Sequence, residues 1–174
     1  MKTLTVQLNP ANLELAHRLA ILRNGKENMG ITTKRFGDLT DERTHYVGLL
    51  GEIAVAAYLG VPVDETERLA GDMGVDFLYN GLTIDVKTRT KEGWDMLFYN
   101  DWSDLRADLF VLAWANLYSK VITLAGWEWA DEIKKVARPM QYRAGNPRWG
   151  VRSALLRDMK TIKEWGVIES KNRI

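Results

Sequence analysis

Asn80-Gly81 constrains this chain more than any other dipeptide in it. A two-residue type I′ loop needs positive φ at both central positions, and Asn-Gly meets that demand best. With that loop, Tyr79 pairs with Leu82, Leu78 with Thr83, Phe77 with Ile84 and Asp76 with Asp85. Directly opposed residues share a face, with Cβ atoms about 4.5–5.5 Å apart. Period-two alternation then puts Lys87 on the Asp85 face, and Phe77, Ile84 and Val86 on the other, toward a core. Opposed carboxylates repel, so the pairing calls for a cation. A hard divalent metal held by carboxylate oxygens would supply one, and Lys87 beside it can hold or activate a water.

Asp76 on one strand, followed by Asp85-Val86-Lys87 on the next, resembles the core motif of the PD-(D/E)XK nuclease superfamily. Val75 stands where many members carry proline. Upstream, the run from Gly51 to Gly60 resembles the first-helix motif of the same family, in which a glutamate, here Glu52, points to the metal site. An exposed glutamate on a partly covered helix is the alternative. The resemblance implies an α/β fold in one domain, residues 1–174, with a mixed central β-sheet flanked by helices around a restriction-endonuclease-like core. It further implies Glu52, Asp76, Asp85 and Lys87 as catalytic residues. Mg²⁺, with Mn²⁺ as a substitute, would be bound by Asp76, Asp85, the Val86 carbonyl oxygen and Glu52, the last directly or through water. The compact size resembles the small nucleases of phage and mobile elements, or junction resolvases.

Charge is unevenly spread. Residues 61–132 carry 6 Lys/Arg and 14 Asp/Glu, whereas residues 133–174 carry 11 and 3, within a chain whose net charge is only +1. An acidic middle beside a basic tail suits a metal-binding cleft with a phosphate-binding flank. In that flank, from about residue 134 to 174, Arg138, Arg143, Arg148, Arg152, Arg157 and Trp149 are the candidates for contact with nucleic acid. Mutual neutralisation of the two segments is the competing reading. A basic loop at residues 24–40, with Lys34 and Arg35, is a lesser candidate.

Other elements follow from local signals. Thr3 to Leu8 alternates as a short strand. Asn9-Pro10 opens a helix with proline at its first position, ending near Gly25. A second helix starts at Thr40 or Asp41 and buries Tyr46, Leu49, Leu50, Ile53 and Ala57. Gly48 and Gly51 each cost it roughly 1 kcal/mol against alanine, for which close packing on the sheet is the expected return. His17 lacks a second ligand at metal spacing and is read as packing or surface. Asp72, in the turn Gly71-Asp72-Met73-Gly74, either orients a basic residue or bonds its own backbone. Residues 94–102 form a loop or lid whose aromatics either stack on a base or, slightly favoured, pack against the core. Asp108 to Ala115 reads as a strand buried on both faces, with Asp108 as its starting residue and not a ligand. Val121 to Gly126 is the next strand, and Trp127 to Ile133 enters a short helix. Met140 to Gly150 reads as irregular, and Ser153 caps a final helix with Leu155, Leu156, Met159 and Ile162 on its apolar side.

Several chemistries are excluded. The 174 residues contain no cysteine, hence no disulfide or thiolate site, and only two histidines. There is no phosphate-binding Gly-Lys-Ser/Thr loop, no Gly-x-Ser-x-Gly and no zinc-binding histidine signature. No apolar run reaches membrane-spanning length and no signal-peptide core follows Met1, so a cytoplasmic protein without a membrane partner is expected. The function expected is metal-dependent hydrolysis of phosphodiester bonds in DNA, with DNA as partner and a homodimer as one option. The alternative is a catalytically silent nuclease-like module that binds nucleic acid or another protein.

Overall fold

The computed structural model describes residues 3–27, 41–63, 65, 74–141 and 147–165. Arg143, the basic loop with Lys34 and Arg35, the Thr40 cap and the Gly71-Asp72-Met73 turn lie outside them. In chain order come β1 (Leu4–Gln7), α1 (Pro10–Glu27), α2 (Asp41–Leu59), β2 (Phe77–Tyr79), β3 (Leu82–Arg89), β4 (Met96–Tyr99) and β5 (Leu109–Asn116). β6 (Val121–Trp129), α3 (Ala130–Val136), β7 (Arg138–Gln141), β8 (Pro147–Val151) and α4 (Ile162–Trp165) follow.

The strands make a five-stranded sheet in the order β1-β6-β5-β3-β2 and a three-stranded sheet in the order β4-β8-β7. β3 and β5 run parallel and the other neighbours antiparallel, so the class is mixed α/β with a mixed sheet. β5 is central and alternates cleanly. Leu109, Val111, Ala113 and Ala115 face the first core, under α1 and α2. Phe110, Leu112 and Trp114 face a second core that holds Met96 and Phe98 of β4 and Ile133 of α3. A strand with both faces covered must be apolar throughout, as Leu109–Ala115 is.

The Asn80-Gly81 hairpin forms as the dipeptide requires. φ is 50° at Asn80 and 84° at Gly81, and Phe77, Leu78 and Tyr79 lie opposite Ile84, Thr83 and Leu82. Gly51 is explained by close approach, since a Cβ there would collide with the Thr88 hydroxyl of β3. That hydroxyl donates to the Gly48 carbonyl at 3.3 Å, so α2 lies tightly on the sheet.

Five local expectations need correction. α1 runs past Gly25 to Glu27. Ala57 is exposed, because the buried surface of α2 runs from Leu49 to Ala56, between the sheet and α1. Trp127 to Trp129 stay extended, because Val111, Phe110 and Leu109 of β5 still lie opposite to pair with them. Residues 94–102 and 140–150 supply strands of the second sheet: β4 pairs with β8, and β8 with β7, a long-range pairing with no local signature. The last helix breaks into 3₁₀ turns at Ser153–Leu155 and Met159–Thr161 before α4, because Arg157 between them bridges to Trp127. No helix among the described residues is long and apolar enough to cross a membrane.

Candidate active site

Asp76, just before β2, donates its N–H at 2.8 Å to the carbonyl of Ile84, the residue already opposite Phe77. The regular pairing therefore ends at Phe77, and Asp76 does not take the ladder position opposite Asp85 that the turn alone implies. Asp76 Oδ2 then accepts the Val86 N–H at 2.7 Å, taking the place of the strand that has ended. The N–H and C=O of one extended residue point to the same side. The Val86 carbonyl oxygen is therefore turned toward Asp76. Ile84 and Val86 point into the first core, and Asp85 and Lys87 to the opposite face, as the alternation requires.

That opposite face is closed over by the second sheet. Asp85 is 5% exposed, and Lys87 Nζ donates to its Oδ2 at 2.8 Å. The ammonium lies 5.9 Å from the ring centre of Phe98 and 5.6 Å from that of Phe110, the residue beside Asp85 on β5. A second acid reaches it: Asp104 Oδ2, 3.7 Å from Nζ. Burial by itself lowers the pKa of Lys87, but the charges of Asp85 and Asp104, the hydrogen bond to Asp85 and the charge of Asp76 outweigh it. Lys87 is held above the ordinary lysine range, so its ammonium form is favoured.

Sequence reasoning passed over Asp104, because it lies in the turn between β4 and β5 with no motif spacing to the other acids. Its Oδ1 accepts the Tyr99 N–H at 2.9 Å, and the turn continues through Trp102, a non-glycine residue at φ 56°. Trp102 stacks on Trp149 of β8, with ring centres 5.3 Å apart and planes 11° from parallel. Burial first, and the charge of Asp104 second, push the Tyr99 phenol up to about 12. Arg106 is a second residue that was missed. It is exposed, and its Nε donates to the Ser103 carbonyl at 2.8 Å. A Cβ built on Gly74 would lie 3.8 Å from the Arg106 stem and 3.9 Å from Asp85 Oδ2, so Arg106 and Asp85 are neighbours across that glycine.

Glu52 is not brought to this group. It is buried on α2, the helix against the other face of the sheet, and Arg23 of α1 grips both its oxygens at 3.0 Å. Among the described residues no three or more His, Cys, Asp or Glu side chains are grouped to hold a metal ion. Asp76, Asp85 and the Val86 carbonyl would offer an all-oxygen set of the kind hard divalent cations take. They fit Mg²⁺ or Mn²⁺ in chemistry, with Asp85 Oδ2 already engaged by Lys87.

Several of the described basic residues of the tail are engaged with the protein itself. Arg138 pairs with Asp95 at 3.0 Å, and Arg157 with the buried Glu128 at 2.7 Å. Arg148 is 7% exposed, its guanidinium 4.7 Å from the Tyr99 ring centre. Trp149 donates its indole N–H to the Asn100 carbonyl at 3.2 Å. Arg152 is exposed and makes no ion pair among the described residues. Both of these pairs join the basic tail to the acidic middle, which is the internal neutralisation weighed above.

Comparison with protein-family models, with curated proteins and with solved structures finds no match to this chain.

Proposed function

We propose that this protein is a metal-dependent nuclease with a restriction-endonuclease-like core, hydrolysing phosphodiester bonds of DNA. The observation that carries the reading is the alternation along β3. Asp85 and Lys87 share the face opposite the apolar Ile84 and Val86, Lys87 Nζ lies 2.8 Å from Asp85 Oδ2, and Asp76 Oδ2 accepts the Val86 N–H between them. A purely structural strand has no need of a cluster of acids around one lysine at its buried end.

In this reading Asp76, Asp85 and the Val86 carbonyl would hold Mg²⁺. The ion, when bound, would polarise the phosphate and lower the pKa of the attacking water. Lys87, kept as an ammonium, donates to the phosphate oxygens as negative charge builds on them, an interaction strongest in the transition state. The overall step forms one bond from water oxygen to phosphorus and breaks one from phosphorus to the leaving oxygen, which takes up a proton.

The test is incubation with plasmid, linear, single-stranded and branched DNA, with Mg²⁺, with Mn²⁺ and with chelator. Metal-dependent cutting that Asp85→Asn abolishes supports the reading. DNA binding without cutting under every condition overturns it in favour of the silent binding module.

A further inference from the structure

Asp104 has no part in the chemistry just described, yet it is built into the same face. Its side chain is 12% exposed, and the Tyr99 N–H fixes its Oδ1. Its Oδ2 is buried with no hydrogen-bond partner, and Lys87 Nζ stands 3.7 Å off. A buried carboxylate oxygen short of donors costs free energy, and its persistence in a native fold needs a cause. Lys87 Nζ meanwhile occupies Asp85 Oδ2 at 2.8 Å, an oxygen that a divalent cation would draw on. An ammonium and a divalent cation repel each other across one carboxylate oxygen. The two distances from Nζ differ by about 0.9 Å, so a small swing of a flexible side chain exchanges one acid for the other.

We propose that Asp104 is the second seat of the Lys87 ammonium. When Asp85 gives its Oδ2 to a divalent cation, Lys87 passes its hydrogen bond to Asp104 Oδ2. This inference rests on the proposed metal site and adds a positioning residue to it. The rings of Phe98 and Phe110 line the ammonium's surroundings in either seat, and Asp104 cannot retreat because the Tyr99 N–H and the Trp102 turn hold it. The handover leaves the positive charge of Lys87 at the site, where the phosphate would meet it, and clears the ligand oxygen.

Calorimetric titration with Mg²⁺ and with Mn²⁺ tests this without any measurement of cutting. The proteins are wild type, Asp104→Asn, Lys87→Met and the double variant. Asn keeps an oxygen for the Tyr99 N–H, and Met keeps the apolar stem against the two rings. Asp104→Ser, which also keeps an oxygen there, replaces the Asn variant if that one does not fold. Asp104→Asn should weaken metal binding about tenfold, the size of coupling seen between residues in one network. Lys87→Met should bind at least as tightly as wild type. In the Lys87→Met background the Asp104 change should then have no effect, since the residue acts through the lysine. An unchanged affinity in the single Asp104 variant overturns the proposal, as does an equal loss in both backgrounds, which would make Asp104 a ligand or a general field charge. Metal binding that follows this pattern in a protein that cuts no DNA supports the handover and overturns the nuclease reading alone. Absence of any metal binding by wild type overturns both.

Discussion

Glu52 and Asp85 are both buried carboxylates, 7% and 5% exposed, on opposite sides of one sheet, and they are held in different ways. Arg23 takes both oxygens of Glu52 at 3.0 Å with the two arms of a planar guanidinium. On Asp85 a lysine takes one oxygen, and that lysine is shared with Asp104 and lies within the field of Asp76. A bidentate arginine fork fixes its partner and leaves little to exchange. A point-like ammonium among three acids can move between them. The first arrangement suits a tie between α1 and α2, the second a contact that can be exchanged.

The largest effect that would sharpen this contrast is on cleavage. Asp85→Asn and Asp76→Asn should each reduce Mg²⁺-dependent cutting below detection, with the circular dichroism spectrum unchanged and thermal stability equal or higher, since each relieves like-charge repulsion. Cleavage at wild-type rate in both variants would remove the distinction between the two carboxylates.

Next in size is Lys87→Ala. Its cleavage rate should fall by roughly 10²–10³-fold, the usual loss when one transition-state donor is removed. Metal affinity, read by calorimetry, should survive. Loss of metal binding would mean that Lys87 only scaffolds the acids.

The Glu52 side of the contrast is a matter of stability. Arg23→Ala should cost about 2 kcal/mol in urea unfolding, less than the roughly 3–5 of a fully enclosed pair because Arg23 is a third exposed. Glu52→Gln should keep cleavage within about an order of magnitude of wild type, a mild loss for a residue outside the transition state. Cleavage abolished in a folded Glu52→Gln protein would break the comparison and return Glu52 to the metal site.

The smallest effect is alkaline. Tyr99 has its folded pKa raised to about 12 from 10.0, so the stability it lends is complete below pH 10 and is lost as pH climbs from there toward 12. Lys87 is raised as well and acts in the same direction. Absorbance at the tyrosinate band should show a phenol titrating near about 12 that Tyr99→Phe removes, beside Tyr58, whose pKa burial also raises. Asp104→Asn should move that phenol to lower pH, because the acid's charge is the second cause of its shift. If neither change altered the phenol titrating at about 12, the acid's field would lie elsewhere.

The hairpin and the shared side of Asp85 and Lys87 were legible in residues 77–87 because each depends only on a two-residue turn and a period of two. The opposition of Asp76 to Asp85 was not, because Asp76 leaves the regular ladder and bonds the Ile84 carbonyl and the Val86 N–H instead. The doubly buried β5 was legible for a similar reason, an unbroken apolar run. The second sheet was not. Met140 to Gly150 reads as loop chemistry, and Met140–Gln141 and Pro147–Gly150 become strand only because β4 offers an edge in space. Trp127 to Trp129 likewise stay extended through pairing with β5, against a helical reading of their neighbours.

By itself, the chain between Phe77 and Lys87 determined that Asp85 and Lys87 share one side of the sheet, since strand register is local once the turn is set. What tertiary structure alone decided is how each charge is engaged. Glu52 goes to Arg23, Arg157 to Glu128 and Arg138 to Asp95, so these two tail arginines are already met within the fold. Asp104 joins Lys87 across a turn from another strand, and Arg106 arrives beside Asp85 across Gly74. These contacts depend on the spatial approach of side chains far apart in sequence, and at such separations electrostatic partners are set by packing, which no local period records.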